Sequence, residues 1–310
     1  NLPEGAESVF IANLYGKALI EMIDILEYIG DKSTALKYKD YYESMKKTVN
    51  EKCWDGQWYI RYFDHIGNML GSSVNKHGKI YTNAQSWAVL SGFAPPERAK
   101  EALDSVNRFL NTSKGIKLSY PGYEKYDPVI GGITTYPPGA KENGGIFMHS
   151  NPWVIIAETI TGDGNRAYEY YSQINPVTKN NIIDEYECEP FVYPQNILSD
   201  EHPQFGLARN SWLSGTASWA YQAATKHILG IEATFYGLKI DPCIPDCWNG
   251  FTAVRKFRNA VYRIEVENPS HISKGVTKII VDGSELDGNI IPVFEDGQVH
   301  TVKAVLTELP

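Results

Sequence analysis

The sequence predicts a mainly α-helical chain that ends in a small all-β domain. Three observations carry this. Apolar residues recur at helical spacing through much of the first 230 or so positions. Long loops rich in Pro, Gly and Tyr separate those stretches. After about Thr234 the character changes to short β-branched runs divided by Asn-Pro, Asp-Gly and Glu-Asp-Gly turns. A domain boundary is therefore expected near residue 234, separating residues 1–234 from residues 235–310.

In residues 8–29, Val9, Ile11, Leu14, Ala18, Leu19, Met22, Ile25 and Leu26 lie at helical spacing, and Gly30 is a stop. Asp31 or Ser33 can cap a second helix that runs to about Asn50. Trp54–Tyr62 reads as a β-hairpin around Asp55-Gly56. Helical patterns return near 83–92, 96–111, 152–161, 164–174 and 210–229. Between them, 113–145 and 176–209 are long loops, a feature that in a compact domain usually carries function. Val254–Val266, Val276–Val281 and Val299–Leu306 read as strands. Paired helices with long loops suggest a helical toroid.

Composition narrows the partners. With 43% hydrophobic and 21% charged residues the chain is ordinary globular material. A formal charge of −8 argues against a nucleic acid or an anionic membrane, so any anion must be held by a few focused donors. Aromatic residues, 12% of the chain, suit flat sugar rings and cores alike. The four cysteines, Cys53, Cys188, Cys243 and Cys247, are scattered, which suits a reducing, cytoplasmic setting. Only Cys243 and Cys247 are close, so no zinc site is expected. No run reaches the roughly 18 apolar residues of a membrane span, and no signal peptide is visible. The chain opens at Asn1 without a methionine, and we read it as the C-terminal part of a longer protein.

The most informative segment is Tyr136–Trp153, YPPGAKENGGIFMHSNPW. Pro137 and Pro138 fix φ angles, while Gly139, Gly144 and Gly145 let the backbone approach closely. Lys141, Glu142, Asn143 and His149 put a cation, an anion, an amide and an imidazole on one loop. Two readings compete: a rigid loop that grips a polar ligand, or a Pro-Gly connection with solvated charges.

This segment resembles the signature of the inverting disaccharide phosphorylases, with the cellobiose phosphorylases the nearest match. The resemblance continues through Glu187–Gln195 (ECEPFVYPQ), Ala208–Trp219 (ARNSWLSGTASW) and Gly237–Pro245 (GLKIDPCIP). It also covers Glu4–Val9 (EGAESV) and Asn83–Gly92 (NAQSWAVLSG), so it spans essentially the whole chain. It implies part of an (α/α)6 barrel followed by a small, jelly-roll-like β-sandwich. Six or seven helices supply about half of such a barrel, and the remainder is expected upstream.

The implied reaction is phosphorolysis of a β-linked glucose disaccharide, cellobiose, to α-glucose 1-phosphate and glucose, with inversion. Chitobiose, cellodextrin and laminaribiose are alternative substrates, and a non-catalytic carbohydrate-binding fragment is an alternative role. An inverting hydrolase uses a second carboxylate to activate water. Attacking phosphate needs no base, and a carboxylate beside it would repel it. The site needs neutral donors and cations instead.

By resemblance, His149, Gln195, Ser214 and Gly215 grip phosphate, with Ser214 standing where the family usually has Thr. Tyr136, Lys141 and Glu142 match sugar-contacting positions. The alternatives are a helix-start histidine, small-residue packing at Ser214 and a surface Lys141–Glu142 ion pair. Arg209 either faces the site or forms a structural salt bridge. Trp87, Trp153, Trp212 and Trp219 are read as core, and His227 is given no role. The family's general acid lies in a Trp-Asn-Asp motif, which occurs nowhere here, so no catalytic acid is assigned within the chain and one is expected upstream of Asn1. Glu4 and Glu7 are read as supports. No metal or organic cofactor is implied, since inorganic phosphate is a substrate. The resemblance also implies a homodimer and pairing with the upstream half of the same protein.

Overall fold

The expected leading helix forms because its two ends are capped by the residues that flank the apolar run. In the computed structural model, which describes residues 4–308, α1 spans Val9–Ile29. The Ser8 side chain accepts a bond from the Ile11 amide, and Gly30 closes the helix at φ 86°. α2 (Lys32–Lys52) starts at Asp31, whose carboxylate accepts from the Thr34 amide and from the Ser33 and Thr34 hydroxyls. The cap is therefore Asp31, and Ser33 serves it.

α1 buries Val9, Gly16, Leu19, Ile23 and Leu26. Five of the residues in its expected apolar stripe, Ile11, Leu14, Ala18, Met22 and Ile25, are exposed instead. The helix is apolar around more than one face, and periodicity alone did not say which face packs. Gly16 admits the Phe93 ring, since a Cβ there would lie 2.3 Å from Phe93 Cζ. Val9, Val49, Cys53, Tyr59, Ile60, Ala84, Ala88, Phe93 and Ala102 form a buried cluster.

The expected hairpin at Trp54–Tyr62 reduces to a single bridge, Trp54 to Tyr59. The chain then forms a three-stranded sheet of β1 (Glu7–Ser8), β2 (Tyr62–Phe63) and β3 (Met69–Leu70). β4 (Ile80–Tyr81) leads into α3 (Thr82–Leu90), and α4 (Pro96–Leu110) follows. The stretch expected as a long loop after α4 holds β5 (Asn111–Thr112), β6 (Gly115–Ile116) and β7 (Ser119–Tyr120). β5 pairs with β6, and β7 with β4. Then come β8 (Ile146–Phe147), α5 (Asn151–Thr161), α6 (Gly164–Ile174), the single turn α7 (Ile183–Tyr186), β9 (Pro194–Ile197) and β10 (Ala208–Ser211).

The expected helix over 210–229 begins late. Residues 208–211 are strand, Asn210 and Trp212 hold φ of 56° and 67°, and α8 spans only Thr216–Gln222. Positive φ at two positions only two residues apart cannot continue a right-handed helix. A π-helical turn, Ala223–Ile228, follows.

The chain divides into two compact units. One comprises the chain up to Ala157 together with Tyr170–Trp219, and the other Glu158–Glu169 together with the chain from Ala220 on. After Ile228 every regular element among the described residues is a strand. β11 (Ile231–Ala233), β12 (Gly237–Ile240) and β17 (Ile290–Pro292) make one sheet. β13 (Gly250–Phe257), β14 (Ala260–Glu267), β18 (Val299–Leu306), β15 (Val276–Val281) and β16 (Ser284–Leu286) make the other, in that order. β14 alternates inward Tyr262, Ile264 and Val266 with outward Arg263 and Glu265, the period of a one-sided sheet. His300 on β18 bridges Asp282 at 2.6 Å and Asp296 at 3.2 Å and stacks on Phe294. No described helix is long and apolar enough to cross a membrane.

Candidate functional site

All seven expected ligand residues lie in the first unit. Four of them gather at one end of the small sheet β10-β9-β8. Phe147 of β8 faces Asn196 of β9, and Ser211 of β10 faces Pro194 of β9. β8 and β10 therefore run the same way, and both exit beside the start of β9. His149 follows β8 directly, in the 3-10 turn Met148–Ser150. Gln195 sits at the start of β9, and Ser214 and Gly215 follow β10. Strand register thus joins residues that are far apart in sequence.

Contact between His149 and Gly215 is direct. A Cβ on Gly215 would lie 3.0 Å from His149 Cε1 and 3.1 Å from Nε2. Nε2 of His149 and Oε1 of Gln195 are buried and have no hydrogen-bond partner among the described residues. An unpaired atom of this kind costs about 1–3 kcal/mol, so a partner for the His149 nitrogen is favoured, whereas the Gln195 oxygen is an acceptor and an anion can pair only with the amide nitrogen of that side chain. Burial lowers the His149 pKa below the ordinary histidine value, which favours the neutral imidazole. The Ser214 hydroxyl bonds that of Thr216 and accepts from the Thr216 amide at 3.1 Å.

Behind His149 stands a wall of rings that sequence reasoning assigned to the core. Trp153 lies 5.0 Å from His149, Trp87 5.3 Å from Trp153, and Trp219 6.0 Å from Trp153, between ring centroids. Phe10 touches both Trp87 and Trp153. The indole nitrogens of Trp87 and Trp153 are buried without partners. Their positions on α3 and α5 carried no signal that they shared a site.

The residues expected to contact sugar, Tyr136, Lys141 and Glu142, lie on a separate turn. Ala140 bridges Asn143, and Lys141 takes φ 48°. Gly145 fits because a Cβ there would meet the Lys141 backbone at 2.6 Å. The Lys141 ammonium sits over the Tyr136 ring, 5.0 Å from its centroid. Glu142 leaves Oε2 buried and unpaired, and among the described residues it forms no ion pair with Lys141. Asn143, counted in sequence among the ligand groups, is fully buried. It donates to the Tyr123 and Tyr136 carbonyls and accepts from the Tyr123 amide. It is a brace, and both of its amide hydrogens are committed, so no donor is left for a ligand.

A strap that the sequence did not reveal holds this turn. Ser199 donates from its amide to the Gly139 carbonyl at 2.9 Å. Glu201 accepts from the Gly122 amide at 2.9 Å and packs on Gly144. Burial raises the Glu201 pKa. The turn and the phosphate-end residues share no hydrogen bond among the described residues. They are joined through Gly145, which leads into β8.

Arg209 resolves toward the structural reading. Its guanidinium lies 3.8 Å from Glu187, and both groups are largely exposed. It opposes Asn196, so it projects from the face opposite to that of Gln195.

Residues 1–230 match the family model "Glycosyl hydrolase 94 superfamily, catalytic domain". The chain belongs to this superfamily. Over 302 residues it is 39% identical to N,N'-diacetylchitobiose phosphorylase of Vibrio proteolyticus, covering 96% of this chain and 38% of that protein. It is 33% identical to solabiose phosphorylase of Paenibacillus borealis, covering 96% of this chain and 39% of the relative. The chain thus spans well under half the length of the curated relatives it matches. Among solved structures, neutral trehalase Nth1 from Saccharomyces cerevisiae matches at a TM-score of 0.50 and 12% identity, over 73% of this chain and 39% of that one. That likeness concerns the fold alone. These two relatives are disaccharide phosphorylases, and the resemblance read from the sequence agrees with this family.

Proposed function

We propose that the chain is the phosphate-gripping and acceptor-gripping part of an inverting disaccharide phosphorylase. The observation that carries this is the pairing of His149 with Gly215 at the sheet end where Gln195 and Ser214 also arrive. His149 Nε2, the Gln195 amide, the Ser214 hydroxyl and the Gly215 amide are four donors suited to an oxyanion. None carries a fixed negative charge, as an attacking dianion requires. A bound dianion raises the His149 pKa again and strengthens that bond. The phosphate oxygen attacks the anomeric carbon, the glycosidic oxygen leaves with a proton from a general acid, and the product is an α-sugar 1-phosphate.

That acid is proposed to lie in sequence preceding residue 1, together with the remaining helices of an (α/α)6 barrel. The strands from residue 231 onward are proposed to form the accompanying β-sandwich. Homodimerisation and a cytoplasmic setting remain part of the proposal.

Lys141 and Glu142 suit neighbouring hydroxyls of the acceptor sugar, since a buried carboxylate oxygen left unpaired discriminates strongly. For the substrate, the motif resemblance supports cellobiose. The two relatives named for N,N'-diacetylchitobiose, at 39% and 36% identity, favour that disaccharide as a second reading. Both tests use the full-length protein. Phosphate with each disaccharide should release α-sugar 1-phosphate, followed by phosphorus NMR. Sugar release that ignores phosphate would overturn the proposal in favour of a hydrolase.

A further inference from the structure

Phosphate presents acceptor oxygens, so Ser214 can help only if its own proton points at the ligand. The structure puts that proton in competition. Ser214 and Thr216 hydroxyls bond one another, and either can donate. The Thr216 amide already fills one lone pair of the Ser214 oxygen at 3.1 Å. Thr216 is fully buried, so solvent cannot supply the missing partner.

We infer that Thr216 is a positioning residue that sets the direction of the Ser214 proton. In the loaded site the Thr216 hydroxyl donates to Ser214, and Ser214 donates to a phosphate oxygen. Ser214 then accepts two bonds and donates one, its full capacity. The relay polarises the Ser214 O–H and strengthens its bond to the anion. In the empty site the pair is free to run the other way, which satisfies Thr216 at no cost to a ligand. This rests on the phosphate reading of Ser214, and it adds a residue that does not touch the ligand.

The test compares Thr216→Val, Thr216→Ser and Ser214→Ala in the full-length protein, with a thermal melt of each. Thr216→Val keeps the shape and removes the donor. It should raise the phosphate KM about 3- to 10-fold, the effect of one neutral hydrogen bond. The disaccharide KM should stay unchanged, and Thr216→Ser should restore the phosphate KM. Adding Thr216→Val to Ser214→Ala should then cost nothing further, because the relay has no end. If Thr216→Val does not fold, Thr216→Ala carries the same comparison. A raised phosphate KM in Ser214→Ala with normal values in both Thr216 variants overturns the relay alone. Unchanged phosphate dependence in Ser214→Ala overturns the phosphate site itself.

Discussion

Replacing Gly215 by alanine tests the site at its tightest point. The added methyl carbon would stand 3.0 Å from His149 Cε1, 3.1 Å from Nε2 and 3.5 Å from Nδ1. Non-bonded carbons rest at about 3.5–4.0 Å, so the imidazole must retreat by roughly half an ångström. The methyl also covers Nε2, the buried and unpaired donor. Backbone strain is not the cause, because the φ of Gly215 lies outside the left-handed region and the residue is exposed. The expected loss is one charge-assisted bond, about 1.5–3 kcal/mol, which is roughly 10- to 100-fold. It should appear as a higher phosphate KM in the full-length protein, with an unchanged melting temperature. Gly132→Ala is the control, since a Cβ there meets nothing within 4 Å. A normal phosphate KM in folded Gly215→Ala would refute the contact as a functional one.

Further outcomes follow from the same geometry. His149→Ala should weaken phosphate use by roughly 10- to 100-fold in steady-state assays, because it removes the same bond outright. The lowered His149 pKa means that the unfolded chain takes up the proton first as pH falls below about 6.5. Its contribution to stability is therefore present above that pH and lost below it, and saturating phosphate should reduce the loss in melts between pH 5 and 7. His300 has the opposite sign, since its bonds to Asp282 and Asp296 raise its pKa. Its contribution is present below about 6.5 and fades as pH rises through the raised value, so His300→Ala should flatten the alkaline side of the melting profile. The chain alone should give no sugar 1-phosphate from cellobiose or N,N'-diacetylchitobiose, because general acid catalysis is worth about 10²–10⁴-fold. Turnover by the purified 310-residue chain would contradict that.

The parts of this fold that were legible in sequence are those built from local signals. α1 and α2 follow from periodicity and from the end signals at Gly30 and Asp31, while the Ser8 cap emerged only in the structure. Strands β15 and β18 follow from their β-branched runs, whereas the single run read at Val254–Val266 is a hairpin of β13 and β14 that turns at Arg258 and Asn259. The sheet β10-β9-β8 was not legible, because strands of two to four residues meet only in three dimensions. The late start of α8 was hidden too, since neither Asn210 nor Trp212 announces a positive φ. For the ligand residues, motif order supplied the names and register supplied the meeting place. Trp87, Trp153, Thr216 and Glu201 escaped because each looks locally like core, helix start or loop charge.

The strands that assemble the donors are far apart along the chain, with Phe147 opposite Asn196 and Pro194 opposite Ser211. Such pairings form late, after the loop-closure entropy between them has been met. A chain that has folded its helices but not this sheet owns every donor and still has no anion site. Phosphate would then recognise only finished molecules, and it would stabilise them by mass action while leaving unfinished ones to unfold or be degraded. On the proposed function, abundant phosphate would favour completed molecules as well as take part in the reaction.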